Sequence, residues 1–391
     1  MPSPSDAIII AARRSPIGRV GRSLRTLSVE ALAAQVLRAV LADVGMTASE
    51  VDEIILGNAI GPGGNPARLA VLTAGFPATV PAVTVDRQCG SGLEAINQAA
   101  RLIQSGAAEV VIAGGMESVS TAPWRIEKPN SLYELPHFSH RARFAPEGIG
   151  DPEMGLAAEN VARKFGITRD RQDAYALESH KKAIAAMQSG RFQSEIVPVA
   201  ISDLTQVDTD ECPRPNLTLQ RLAKLPAAFA EGGTVTVGNT CPINDGAAAV
   251  LIVSTQKFEQ LGLKQGLRVV DAVAAGVDPN LLGIAPVPAT QALLKRQALS
   301  IAQIDCVEFN EAFAAQVLAS LDALEIPTDK VNLGGGAIAL GHPYGASGAI
   351  LVTRLFSEMV RNSSSGRSLR YGLATLGIAG GLGIATLFER I

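Results

Sequence analysis

Residues 82–113 read AVTVDRQCGSGLEAINQAARLIQSGAAEVVIA, and this stretch indicates the fold class. The apolar run at 82–86 predicts a strand, the apolar periodicity over 90–105 predicts a helix, and the run at 109–113 predicts another strand. Comparable alternation of predicted strands and helices recurs along most of the chain. The sequence therefore predicts an α/β fold, with a largely parallel sheet covered on both faces.

The two halves of the chain resemble each other. Residues 51–55 align with 304–308, residues 90–92 with 346–348, and residues 114–115 with 380–381. Because the three matches come in the same order, they predict a duplicated core. Duplication would bring two equivalent helix N-termini to one crevice at the strand ends, where α/β proteins bind ligands.

Composition excludes several classes of protein. Of the 391 residues, 47% are hydrophobic and 18% charged, which is incompatible with intrinsic disorder. The net charge is -3 and no long basic run occurs, so we expect no nucleic-acid partner. The uncharged run 371–388 has 18 residues and five glycines, shorter than the roughly 20 that span a bilayer. It predicts two strands joined by a glycine turn, and we expect no membrane partner.

Four cysteines occur, none of them in a CxxC pair. This spacing predicts neither a disulfide framework nor a metal site, and it favours a reducing, cytoplasmic location.

Cys89 is the first candidate for chemistry. It lies where the predicted helix begins, so unpaired amides and the positive end of the helix dipole would lower its pKa and make it a nucleophile. Gly90 and Gly92 would leave room for a substrate and for backbone donors. The alternative is an inert, buried core cysteine.

His342 lies in GGGAIALGHPYGASG at 334–348. Pro343 blocks continuation of a helix, so the imidazole is predicted to project from a loop as a general base. Gly334, Gly336 and Ala339 satisfy the dinucleotide fingerprint, but that fingerprint needs an immediate helix, which the Gly-His-Pro interrupts. A Rossmann site is therefore disfavoured.

Asn310 follows an apolar run that ends at Phe309. It could cap the next helix, or it could hold a water that donates to a developing oxyanion.

Together these motifs resemble the thiolase family along essentially the whole chain. The resemblance rests on CGSG at 89–92, AGGMES at 113–118, GN at 238–239 with NDGAA at 244–248, NEAF at 310–313, GHP at 341–343 and GLATL at 372–376. It implies a duplicated five-layer α-β-α-β-α fold, with a loop domain inserted over a coenzyme A tunnel. It further implies acyl transfer between thioesters by a homodimer or homotetramer. Coenzyme A and acyl-CoA would be substrates, with no permanently bound cofactor.

The resemblance also implies domain limits and residue roles. Residues 1–119 and 234–265 would form the N-terminal core half, 120–233 the loop domain and 266–391 the C-terminal core half. Cys89 would be the nucleophile, His342 the base and an oxyanion donor, and Asn310 its water-holding partner. The amides of Cys89 and Ala379 would form another oxyanion hole, and Met154 and Phe313 would pack on the pantetheine side.

Two residues depart from the family pattern. Thiolases carry a second catalytic cysteine, the acid/base of the carbon–carbon step, where this chain has Gly377. Gly377→Cys would be expected to raise the rate of that step, unless the glycine is needed for space or backbone geometry. Cys241 stands where a serine near the pantetheine is usual; it could supply the missing proton carrier or be an inert packing residue.

Three functions remain open from the sequence. The chain could cleave a 3-ketoacyl-CoA or condense two thioesters through acyl-Cys89. It could be a transacylase or thioesterase-like enzyme without the carbon–carbon step. It could also be a catalytically idle CoA-binding subunit of an oligomer.

Overall fold

The computed structural model describes residues 6–139, 141–362 and 369–391. The strands of these ranges are β1 (Ala7–Arg14), β2 (Gly18–Arg19), β3 (Glu53–Gly57), β4 (Ala82–Val85), β5 (Val110–Ser118), β6 (Arg125–Glu127), β7 (His137–Ser139), β8 (Val199–Ser202), β9 (Thr205–Val207), β10 (Asn244–Ser254), β11 (Leu267–Gly276), β12 (Cys306–Phe309), β13 (Tyr371–Ile378) and β14 (Leu382–Arg390). The helices are α1 (Val29–Ala42), α2 (Pro66–Thr73), α3 (Ser91–Gln104), α4 (Met154–Phe165), α5 (Arg169–Gln188), α6 (Leu219–Ala223), α7 (Thr255–Gln260), α8 (Pro286–Arg296), α9 (Ala314–Leu324), α10 (Ala337–Leu340) and α11 (Tyr344–Phe356).

One sheet runs through the molecule in the order β12-β13-β14-β11-β1-β10-β5-β3-β4, with β2 beside β10. Only the pairs β12·β13, β3·β4 and β3·β5 are parallel among the described strands; the others are antiparallel. The expectation of a largely parallel sheet is therefore wrong. The tight turn between β13 and β14, where Gly380 and Gly381 have φ near +77° and +76°, forces an antiparallel pair.

The sheet confirms the duplication. The order β3-β5-β10-β1 in the first half corresponds to β12-β13-β14-β11 in the second, and both halves meet at the β1·β11 pair. The capping boxes Thr47/Glu50 and Ser300/Gln303 precede β3 and β12 and are 253 residues apart.

The glycine match between the halves is wrong in its register. Leu56 pairs with Gly114, and the corresponding Phe309 pairs with Thr375. Gly114 therefore corresponds to Thr375, whereas Gly380 lies in the turn beyond β13.

Helices divide the molecule into five layers, which confirms the expected α-β-α-β-α arrangement. Helices α1 and α2 cover the outer face of the first half, and α8 and α9 cover that of the second. Helices α3 and α11 pack against each other between the two half-sheets. A Cβ built on Gly92 would lie 2.7 Å from the Gly345 carbonyl oxygen, so glycine permits backbone contact between the N-terminal turns of α3 and α11.

The segment between β5 and β10 carries the hairpins β6-β7 and β8-β9 and helices α4 to α6. It is tied to both halves by buried charges. Arg14 on β1 donates to Glu195 and Asp210, and Arg354 on α11 donates to the same Glu195. The Phe192 ring lies under both guanidinium groups, at 5.2 and 4.4 Å. The exact domain limits remain a prediction.

Candidate active site

Cys89 lies in a tight turn between β4 and α3. The Asp86 carboxylate accepts the Gln88 amide N–H, and Gln88 has the left-handed φ of +49°. Ser91 Oγ donates to the Gln88 carbonyl, and Gly90 is the N-cap of α3. Cys89 therefore stands directly before the helix N-terminus, as the sequence predicts.

The flanking glycines allow other segments of the chain to pack closely against the Cys89 turn. A Cβ at Gly90 would collide with the Ile378 side chain, and one at Gly92 with the backbone of α11. The expected approach of backbone donors is confirmed, because Ile378 precedes Ala379, whose amide reaches the Cys89 sulfur. Room for a substrate stays a prediction. The two glycines let β13 and α11 close over the Cys89 turn.

The environment of Cys89 opposes ionisation in the resting enzyme. Burial, together with the nearby Glu117 carboxylate, raises its pKa to about 12. The amides of Cys89 and Ala379 donate to the sulfur and act in the opposite direction. The expectation of a lowered pKa is wrong, because desolvation outweighs the two backbone donors. Attack by Cys89 therefore requires a base that takes its proton.

His342 occupies the position in the second half that Cys89 occupies in the first. Each precedes the first residue of its helix by two positions, Ser91 of α3 and Tyr344 of α11, and the two are 253 residues apart. Because the N-terminal turns of α3 and α11 touch, Cys89 and His342 lie at one crevice, as the duplicated pattern predicts.

The His342 imidazole is buried, neutral and fixed. Its backbone N–H donates to Asn244 Oδ1 at 3.0 Å, and its Nδ1 lies 2.6 Å from Ser347 Oγ. Burial lowers its pKa to about 4. If Nδ1 carries the proton and donates to Ser347, Nε2 keeps a free lone pair that can accept a proton.

The glycine run before His342 is followed by one helical turn, α10, and not by a Rossmann helix. Gly341, with φ +117°, ends that turn. Glu311 fixes the loop by accepting from Ser179 Oγ, Asn332 Nδ2 and the Ile338 amide. The dinucleotide fingerprint is thus a chance match.

Asn310 is buried directly after β12, and its N–H donates to the Thr375 carbonyl. The N-cap of α9 is Phe313, so Asn310 does not cap that helix. Among the described residues, nothing accepts a hydrogen bond from Asn310 Nδ2. A buried amide left without a partner costs about 1–3 kcal/mol, which favours a bound water or substrate there.

Met154 and Phe313 belong to one apolar cluster with Val235 and Ile284. Met154 begins α4, and Phe313 lies at the start of α9, so the cluster joins the inserted segment to the second half. The structure therefore brings together the two residues expected to pack beside the pantetheine.

Cys241 is half-buried beside the same loop, and its N–H donates to the Ala312 carbonyl at 3.0 Å. Burial raises its pKa, and the proximity of Cys89 raises it further. The two thiols are thus neighbours. As a protonated thiol, Cys241 is suited to donate a proton rather than to accept one.

Neither a metal-binding cluster nor a membrane-spanning helix occurs among the described residues. No cluster of three or more His, Cys, Asp or Glu side chains there could hold a metal ion. No helix in those ranges has the length and apolar character to cross a membrane.

Comparisons with known proteins agree with this geometry. The family description "Thiolase, N-terminal domain" matches residues 7–256, and "Thiolase, C-terminal domain" matches residues 263–390. The chain belongs to the thiolase family.

Relatives of this thiolase are similar over their whole length. The VraB protein of Staphylococcus haemolyticus, provisionally named an acetyl-CoA C-acetyltransferase, is 48% identical over 387 residues, covering 98% of this chain and 99% of that protein. VraB of Staphylococcus aureus strain MRSA252 is 44% identical over 388 residues, covering 99% and 100%. The crystal structure of the Bacillus anthracis acetyl-CoA acetyltransferase is 39% identical, with a TM-score of 0.92 and 99% of each chain covered. This thiolase is accordingly an acyltransferase.

Sequence reasoning assigned no role to two residues of this site. Glu117 on β5 accepts the amide N–H of Gly345 and the side chain of Asn58, and burial raises its pKa to about 7. Tyr344, the first residue of α11, packs its ring edge-on against His342, with the centroids 5.3 Å apart. In the sequence, the position of Tyr344 directly after the Gly-His-Pro motif could have indicated that it belongs to the site.

Gly377 is packed against the backbone of Gly283 in this thiolase. A Cβ at Gly377 would lie 2.7 Å from the Gly283 Cα, closer than real Cβ contacts. Of the two outcomes expected for Gly377→Cys, the structure favours the clash.

We therefore expect Gly377→Ala to lower the free energy of unfolding by about 1–3 kcal/mol, as overpacking does. Gly148→Ala is the matched control, because a Cβ there would meet nothing within 4 Å. Urea unfolding of both variants measures the difference. Equal stability of the two variants would show that position 377 tolerates a side chain.

Glu308, on β12 just before Asn310, is a buried carboxylate whose pKa burial raises to about 8. The fold therefore favours the protonated form, and this contribution to stability is lost as pH rises from about 4.5 to about 8. One such group changes the free energy of unfolding by at most about 1.4 kcal/mol per pH unit.

We expect Glu308→Gln to flatten the fall in unfolding free energy between about pH 5.5 and pH 8.5. The exposed Glu231→Gln serves as the control. The same pH slope in wild type and Glu308→Gln would show that Glu308 does not titrate in this window.

Proposed function

We propose that this thiolase transfers acyl groups between coenzyme A thioesters through a covalent acyl-Cys89 intermediate, and that it makes or breaks a carbon–carbon bond. The observation that supports this most strongly is the pair of N–H donors, from Cys89 and Ala379, that reach the Cys89 sulfur. When Cys89 attacks a thioester carbonyl, the new oxyanion forms beside the sulfur. Preorganised amides there stabilise that charge without reorganisation.

His342 supplies the proton acceptor that the high pKa of Cys89 requires. With a pKa of about 4 it is unprotonated at neutral pH, and its ring is held by Ser347. Removing the thiol proton during attack avoids the free thiolate, which the buried site disfavours. The resulting imidazolium can return the proton to the departing CoA thiolate.

Asn310 is suited to act in the second half-reaction, in which the second acyl-CoA reacts. Its unpartnered Nδ2 is suited to hold a water beside His342, and the pair would stabilise the enolate oxygen of the second acyl-CoA. Met154 and Phe313 would pack against the pantetheine arm. No permanent cofactor enters this scheme, since coenzyme A is itself the substrate.

A second candidate function omits the carbon–carbon step. It is favoured by Gly377, which brings no thiol to the position of the family's second cysteine and is packed against Gly283. In that case acyl-Cys89 would pass its acyl group only to another thiol or to water.

We further propose a homodimer or homotetramer in the cytoplasm. Strand β4 supports association, because it ends the sheet with one edge unpaired in the described chain and its Val83 side chain is 40% exposed.

Intact-protein mass spectrometry after incubation with acetyl-CoA tests the proposal. One acetyl group should be added and should map to the peptide that contains Cys89. Acetoacetyl-CoA plus coenzyme A should then yield acetyl-CoA; acetylation without this cleavage would select the second candidate. Absence of any acetylation would leave only the idle CoA-binding subunit.

A further inference from the structure

We propose that the phenol of Tyr344 is the proton donor of the carbon–carbon step, replacing the thiol that is absent at position 377. This inference rests on the proposed function. It concerns the moment when a 3-ketoacyl-CoA is cleaved and the acetyl-CoA enolate must receive a proton.

The position of Tyr344 is fixed by backbone contacts. Gly345, the next residue, donates its N–H to Glu117 at 2.9 Å, and its carbonyl oxygen lies against Gly92 of α3. The ring stands edge-on to His342, with an interplanar angle of 89°. Tyr344 is therefore held at the crevice where the N-terminal turns of α3 and α11 meet.

The phenol of Tyr344 lies among the other titratable groups of the site. Burial raises its pKa above the ordinary value of 10, and the proximity of Cys241, Cys89 and Glu117 acts in the same direction. The hydroxyl is thus within electrostatic reach of both thiols. The ring is only half-buried, and among the described residues no hydrogen bond of its hydroxyl is found, so the hydroxyl is free to meet a substrate.

Each step of cleavage balances with this donor. His342 takes the Cys89 proton as sulfur bonds to the 3-keto carbon, and the C2–C3 bond breaks with its electron pair moving to C2. The Tyr344 O–H bond then breaks, and its proton forms the new C2–H bond of acetyl-CoA, which leaves tyrosinate. The His342 imidazolium returns its proton to the tyrosinate, which restores the phenol. The neutral imidazole then takes the S–H proton of incoming coenzyme A, and the CoA thiolate takes the acyl group from Cys89. The departing Cys89 thiolate recovers its proton from His342.

The resting protonation state of Tyr344 is the one from which cleavage starts. A phenol whose pKa lies above 10 is protonated at neutral pH and is a donor rather than a base. Cys241 is the competing donor, since its thiol is also protonated and close to Cys89. Tyr344 and Cys241 therefore have to be separated by experiment.

Tyr344→Phe removes only the hydroxyl and keeps the ring against His342. We expect its Cys89 to be acetylated by acetyl-CoA within about threefold of the wild-type rate, because that half-reaction needs His342 alone. With acetoacetyl-CoA or 3-ketodecanoyl-CoA plus coenzyme A, acetyl-CoA formation should fall about 10²-fold in kcat, the low end for losing a general acid. KM should change little.

Tyr371→Phe is the matched control, since Tyr371 begins β13, about 20 Å along the strand from position 377. Cys241→Ser should keep cleavage. The proposal is overturned if Tyr344→Phe cleaves as wild type does, or if its acetylation and cleavage rates fall equally. It is also overturned if Cys241→Ser alone loses cleavage. Acetylation of the wild type without cleavage would overturn it as well. Failure of wild-type Cys89 to be acetylated would instead overturn the proposed function.

Discussion

Cys89→Ala should abolish acyl transfer, lowering the rate by about 10⁴-fold or more, the scale on which removal of a nucleophile acts. The reason is structural: the amides of Cys89 and Ala379 converge on this one sulfur, so no other thiol can use the same oxyanion site. Incubation with acetyl-CoA should add no acetyl group to this variant. The fold should persist, because Cys89 lies in the turn that precedes the N-terminus of α3.

Cys306→Ala is the control for that experiment, because Cys306 is buried in β12 within the core. It should accept an acetyl group as wild type does. Acetylation of Cys89→Ala at any other residue, at a rate near that of wild type, would remove Cys89 from the role of nucleophile.

His342→Ala should slow acetylation of Cys89 by about 10²- to 10⁴-fold, the usual contribution of a general base. The wild-type rate should hold from pH 8 down to below pH 6, because His342 loses its basic form only near its pKa of about 4. Protonation of Glu117, with a pKa of about 7, removes a charge that opposes the thiolate and so does not slow acetylation.

Stopped-flow or rapid-quench acetylation across this pH range measures both effects. The exposed His137→Ala serves as the control. A fall of less than about threefold in His342→Ala, or a wild-type rate that halves near the ordinary histidine pKa of about 6.5, would assign His342 a structural role instead.

The sequence predicts the duplication, because short matching segments recur in the same order in both halves. The five layers were predicted from the family resemblance. Strand direction could not be predicted in the same way. Strand β10 is buried at every residue, so its sequence shows no alternation between faces and reads as a parallel strand would. The bounds of helix α9 were not predicted, because it is buried on nearly all sides and has only a weak apolar periodicity.

For the site, local pattern located Cys89, His342 and Asn310, since each stands at the end of a predicted element. The direction of the Cys89 pKa shift depends on burial and on Glu117, which lies on a different strand. A local sequence pattern contains neither piece of information. The closeness of Gly377 to Gly283 and of Tyr344 to both thiols likewise depends on how separate segments pack.

Kinetic competence of the acyl-enzyme is the most direct test of the central claim. In a rapid-quench experiment with acetyl-CoA labelled in its acetyl group, label should appear on Cys89 and then pass to added coenzyme A, each at least as fast as steady-state turnover. If acetyl-Cys89 forms or discharges more slowly than the enzyme turns over, the acyl group does not travel through Cys89.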